Sequence, residues 1–99
     1  MLRQITMLRF KDDAPANVVD DIGGGFQGLV DVVPGIHRFE FGSNLALMDD
    51  NFHYALVIDF ESEAAWQAYQ DHPKHVAFAN AFAPHIENAA RVHYDVAAT

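Results

Sequence analysis

The run from Phe52 to Phe60 has an apolar or aromatic residue at every even position: Phe52, Tyr54, Leu56, Ile58 and Phe60. A period of two puts all five on one face of a β-strand. The opposite face carries Ala55 and Val57, so it is partly apolar as well. A strand with two apolar faces must be covered on both. The chain has 99 residues, enough for one domain and one core but not for two. Whatever covers the second face must therefore be found outside the first layer of helices.

The rest of the chain fits around this strand. Leu2 to Phe10 reads as a first strand, with Arg3 and Arg9 among apolar residues. Lys11-Asp12-Asp13 makes a turn, and Asp13 is placed to cap a helix with Pro15 in its first turn. Val19, Ile22, Phe26, Leu29 and Val33 recur at three- and four-residue spacing and give that helix its apolar face. Pro34-Gly35 ends it. Ile36 to Gly42 is a second strand, with His37, Phe39 and Phe41 on one face by parity. Ser62 caps a second helix carrying Ala65, Trp66 and Tyr69. A short helix after Pro73 places Phe78 and Phe82 four apart on one face. Pro84 interrupts it, His85 to Ala89 is expected to form a last turn, and Arg91 to Val96 is the fourth strand. Ala97-Ala98-Thr99 is expected to fray.

This order, βαββαβ, predicts an α+β ferredoxin-like fold: one domain over residues 1–99, a four-stranded antiparallel sheet with helices on one face. The other face, with Ile5, Met7, Ala55 and Val57, then has no cover from its own chain. A second copy laid sheet against sheet covers it, so burial alone predicts a homodimer.

Two glycine and charge features limit the chemistry. Gly23-Gly24-Gly25-Phe26-Gln27-Gly28 satisfies G-x-G-x-x-G, but it lies inside a helical pattern and follows two aspartates, not a strand. A dinucleotide phosphate has no reason to sit there. Close helix packing or space for a ligand explains the glycines better. The formal charge of −8 argues against nucleic acid and against an anionic membrane surface as partners. The absence of cysteine removes disulfides, thiolate catalysis and cysteine–zinc sites. No apolar run reaches bilayer-spanning length and no leader pattern stands at the start, which predicts a cytoplasmic protein.

The segment with the most chemistry is Tyr69-Gln70-Asp71-His72-Pro73-Lys74-His75. Proline pushes His72 out of helical geometry and itself fits the first turn of the next helix. His75 then stands at the positive end of that helix, which favours the neutral imidazole. A neutral imidazole beside a phenol is general acid–base equipment. The plainer explanation is that both histidines only cap and pack a helix corner. His72 and His75, three apart, also have a spacing used by helical metal sites, but Pro73 breaks the helix between them, so no metal is assigned.

The same segment carries a resemblance, together with Ile5-Thr6-Met7-Leu8-Arg9-Phe10-Lys11, Val33-Pro34-Gly35-Ile36, Tyr54 to Glu63 and His93-Tyr94-Asp95-Val96. Across nearly its whole length the chain resembles the stress-responsive A/B barrel (dimeric α/β-barrel) domain family. The resemblance implies ferredoxin-like homodimers whose two sheets face each other as a barrel. Some members are known as stress-induced proteins. The best-understood chemistry is that of a plant polyketide cyclase of the olivetolic acid type, a cofactor-free aldol cyclase. Its tyrosine and histidine come from the Y-x-x-H-P-x-H segment and match Tyr69 and His75 here. The family often has histidines where this chain has Gln4 and Tyr54. Gln4 cannot carry a proton at neutral pH, and Tyr54 is a weaker base.

The resulting expectation is a cofactor-free enzyme in which Tyr69 and His75 move protons on a carbonyl substrate. Aldol-type cyclisation, isomerisation and lyase chemistry all fit. Gln4 and Tyr54, on one strand face by parity, would orient a substrate oxygen, and His72 joins them as a ligand contact. Phe26, Leu56, Phe78 and Phe82 would form an apolar wall. The alternative is a non-catalytic, stress-related dimer that binds a small hydrophobic compound or acts structurally.

Overall fold

The computed structural model describes residues 1–97, so the expectation of fraying at Ala98 and Thr99 lies outside the described residues. The elements are β1 (Leu2–Phe10), α1 (Ala16–Val30), β2 (Ile36–Ser43), β3 (Tyr54–Phe60), α2 (Glu63–Asp71), α3 (Pro73–Phe82), a 3₁₀ turn (Ala83–His85) and β4 (Ile86–Asp95). The four strands form one antiparallel sheet in the order β2-β3-β1-β4. The helices lie on one face of it, as the ferredoxin-like reading expects.

Alternation in the two central strands decides what each face does. Gln4, Thr6, Leu8 and Phe10 of β1, and Leu56, Ile58 and Phe60 of β3, point to the helices and are buried. Ile22, Leu29, Val33 and Tyr69 meet them from the other side. Leu29 and Val33 follow the spacing read from the sequence, although α1 ends at Val30 and Val33 lies in the turn beyond it. That turn contains Gly35 at φ +86°, a left-handed conformation that glycine adopts without a Cβ clash.

Several boundaries differ from expectation, each for a physical reason. Asp13 does not cap α1: the capping position is Pro15, and no side chain bonds the helix start. β4 begins at Ile86, not Arg91, because Ile86 to Ala90 pair with β1. Ladder pairing there outweighs the helical preference of the alanines. His37 does not share a face with Phe39 and Phe41. The register slips between Ile36 and Arg38, and His37 joins Arg3, Arg38 and Asp59 around a shallow pocket at the sheet's end. A bulge inverts parity locally.

Two glycines of the run pack α1 closely against aromatic rings. A Cβ on Gly23 would enter the ring of Phe41, and one on Gly25 the ring of Phe78. Phe78 is held by Phe26 at 4.7 Å and Phe82 at 4.5 Å between centroids, so it cannot yield easily. Gly24 and Gly28 face open space. Gly24→Ala is therefore expected to raise stability by about 1 kcal/mol through helix propensity. Gly25→Ala is expected to lower it by roughly 1–3 kcal/mol through overpacking. Paired urea titrations of the two variants check the opposite signs.

The outer face of the sheet is bare in the single chain. Ile5 stands beside Val57 and Val92, and Met7 beside Ala55 and Ala90. Met7 is 38% exposed and Val92 52%. At one end of this apolar strip Arg3 grips Asp59 with two bonds, Nε to Oδ1 at 2.7 Å and Nη2 to Oδ2 at 2.9 Å. The Arg3 guanidinium holds the Asp59 carboxyl below the usual carboxylate range. Among the described residues no helix is long and apolar enough to cross a membrane.

Candidate functional site

α2 (Glu63–Asp71) and α3 (Pro73–Phe82) meet at a corner. Their corner is built by Ser62, whose Oγ accepts from Ala65 N–H at 3.1 Å, and by His72. His72 has extended backbone, ψ 131°, as a residue before proline should. Its Nδ1 accepts from Lys74 N–H at 3.1 Å and so caps α3. Between this corner, α1 and the sheet lies a cavity of about 560 Å³ that reaches β4.

Seven of the nine residues singled out from the sequence line it: Tyr69, His75, Gln4, Phe26, Leu56, Phe78 and Phe82. The other two do not. Tyr54 begins β3, paired with Leu8, with its ring edge-on to Phe10 at 6.2 Å. Parity placed it on the right face, but at its level the cavity lies toward β4, lined by Leu8, Ala89 and Ile86, and Tyr54 stands on the β3 side of Leu8. His72 is the helix cap and turns away from the cavity lining.

Tyr69 and His75 pack ring against ring, 4.4 Å between centroids and tilted by 46°. They do not hydrogen-bond each other, so each is left to act on a third group. His75 Nδ1 lies 3.2 Å from the Gln70 carbonyl oxygen. A carbonyl only accepts, so this nitrogen carries the proton and Nε2 holds the lone pair. Burial is the largest cause that lowers the His75 pKa below its ordinary value. The Gln70 carbonyl opposes that shift, while the nearby charges of Arg91 and His72 add to it. The neutral ring expected from the helix start is thus favoured chiefly by desolvation. Tyr69 is 1% exposed, and burial pushes its phenol up to about 12. It stays protonated at neutral pH and is a hydrogen-bond donor. No buried side-chain oxygen or nitrogen among the described residues lacks a partner, and no described group bonds the Tyr69 hydroxyl. Its oxygen is therefore the part of the residue that remains open to the cavity.

Gln4 is more constrained than the sequence suggested. Its Oε1 accepts from Trp66 Nε1 at 2.9 Å and from His93 Nε2 at 3.0 Å. Indole N–H only donates, which fixes which way the amide points. Gln4 Nε2 donates to Thr6 Oγ1 at 3.1 Å. Gln4 can offer a ligand only its remaining N–H.

Trp66, Arg91 and His93 also line the cavity, and sequence reasoning did not place them there. The signal was register: Gln4 pairs with His93 and Thr6 with Arg91, which puts both β4 side chains on the inner face. Among the described residues no group of three histidine, aspartate or glutamate side chains converges in metal-binding geometry.

Comparison with known proteins agrees with this architecture. The family model described as the stress responsive A/B barrel domain matches residues 2–97. The chain belongs to the stress-responsive A/B barrel domain family. A stress-response A/B barrel domain-containing protein of Arabidopsis thaliana is 29% identical over 99 residues, covering 97% of this chain and 86% of the relative. A dimeric ferredoxin-like protein of unknown function from Thermobifida fusca superposes with a TM-score of 0.86 at 28% identity, over 96% of this chain and 90% of that one. A hydroxynitrile lyase from Passiflora edulis has the same fold, with a TM-score of 0.86 at 24% identity, covering 99% of this chain and 94% of its own. Within this A/B barrel domain, the cavity under the α2–α3 corner is the place where chemistry can be concentrated.

Proposed function

We propose that this A/B barrel domain works as a homodimer and is a cofactor-independent acid–base catalyst for a small, largely apolar carbonyl compound. One observation carries the reading: a neutral imidazole with a free Nε2 and a protonated phenol share one wall of a cavity. His75 Nε2 takes a proton from the substrate's C–H or hydroxyl. Tyr69 O–H donates to the carbonyl oxygen as negative charge develops there. The imidazolium then returns its proton to the product, so the residues end as they began. Phe26, Leu56, Phe78 and Phe82 hold the apolar remainder.

Aldol-type cyclisation and isomerisation use this pair so; in lyase cleavage of a hydroxylated carbonyl adduct His75 takes the hydroxyl proton, the carbonyl forms as the C–C bond breaks, and the imidazolium gives the proton to the departing carbanion, such as cyanide. That a hydroxynitrile lyase is built on the same fold supports a catalytic use of it. The homodimer is supported by the bare apolar strip on the outer face and by the dimeric state described for the Thermobifida protein. The test is turnover of cyanohydrins and 1,3-dicarbonyl compounds by the wild type, Tyr69→Phe and His75→Ala. Loss in both variants with retained binding supports the reading. Unchanged turnover in both would favour a dimer that binds hydrophobic compounds without transforming them.

A further inference from the structure

The chain has six lysines and arginines, and three of them bond carboxylates: Arg3 to Asp59, Arg9 to Glu87 and Arg38 to Glu40. Arg91 has no such partner among the described residues, although the formal charge is −8 and acids are plentiful. Among the described residues it is also the one lysine or arginine that lines the cavity. Glu87, a carboxylate in the lining, is already bonded to Arg9 Nε at 2.7 Å. Arg91 stands opposite buried Thr6 on the inner face, next to the Gln4–His93 pair. Beyond it the lining is aromatic, with Phe26, Phe78 and Phe82.

We propose that the cavity takes an amphiphilic monoanion, an aromatic or alkyl carboxylate, with the carboxylate on the Arg91 guanidinium and the apolar part against Phe26, Phe78 and Phe82. A planar guanidinium matches a carboxylate through two parallel N–H···O bonds. A phosphate dianion would need more positive charge than one arginine supplies in so acidic a chain. This inference rests on the cavity being the ligand site and deepens the proposed function by naming the charge of its substrate class.

The probes are 2-naphthoate and its neutral counterpart 2-naphthamide, titrated calorimetrically at low salt into wild type, Arg91→Gln and Arg91→Lys. Arg91 is solvent-exposed on an edge strand, so these variants are expected to keep the fold, and amide NMR spectra verify it. The expected result is naphthoate binding at least about tenfold tighter than naphthamide in the wild type. Arg91→Gln removes that preference without weakening naphthamide, and Arg91→Lys keeps part of it. Equal affinities in the wild type, or a preference that survives in Arg91→Gln, overturns the inference. If neither probe binds, the ligand-site reading falls with it. If the preference holds but Tyr69→Phe and His75→Ala leave turnover unchanged, only the catalytic proposal fails.

Discussion

His75→Ala lowers kcat by about 10²–10⁴-fold, the span that a positioned general base supplies. Tyr69→Phe lowers it by roughly 10²–10³-fold, as expected for loss of one donor to a developing oxyanion. Both effects belong in kcat more than in KM, because neither hydroxyl nor imidazole is the main source of ground-state binding. That source is the aromatic wall, which Tyr69→Phe leaves intact. Tyr69→Phe also keeps the ring contacts with Phe60 at 5.2 Å and His75 at 4.4 Å, so its fold is expected to survive. Stopped-flow or steady-state kinetics on the two variants, with thermal melts as control, separate chemistry from stability. An equal rise in KM with kcat unchanged would assign both residues to binding alone.

Val57→Asp is expected to split the dimer. Val57 lies between Ile5 and Glu40 on the outer face, at the β2 side of the apolar strip. An unpaired carboxylate there would be desolvated against a second copy, and two-fold symmetry brings the penalty in twice. About 3 kcal/mol of lost association energy weakens the dimer by roughly a hundredfold in dissociation constant. Sedimentation velocity across a concentration series measures it. Ser62→Ala, remote from that face at the α2 cap, serves as the comparison and should leave association unchanged.

Which parts of this were readable in the chain follows from what local sequence encodes. Alternation in β1 and β3 and the periodicity of α1 depend on neighbours in sequence, and they placed Leu56, Ile58, Phe60, Ile22 and Leu29 in the core. The corner at His72-Pro73 was legible because proline geometry is local. Position along a sheet is not local. Tyr54 shares the face of Gln4, yet it pairs with Leu8 from the β3 side, whereas at that level the cavity opens on the β4 side, along Ala89 and Ile86. His37 was misplaced because a bulge leaves no mark in the hydrophobic pattern. Arg91 and His93 escaped for the same reason: nothing in β4 announces that they stand opposite Thr6 and Gln4. His72 is expected as a ligand contact, but its ring nitrogen is used by Lys74 N–H.

The proposed chemistry requires that His75 present an unprotonated Nε2 to the cavity at neutral pH. The most direct measurement is a pH titration of the ¹⁵N-labelled imidazole by NMR, with no substrate required. The expected result is the Nδ1–H tautomer and a midpoint below the ordinary 6.5, because burial and Arg91 both disfavour the imidazolium. An Nε2–H tautomer, or a midpoint at or above 6.5, would contradict it.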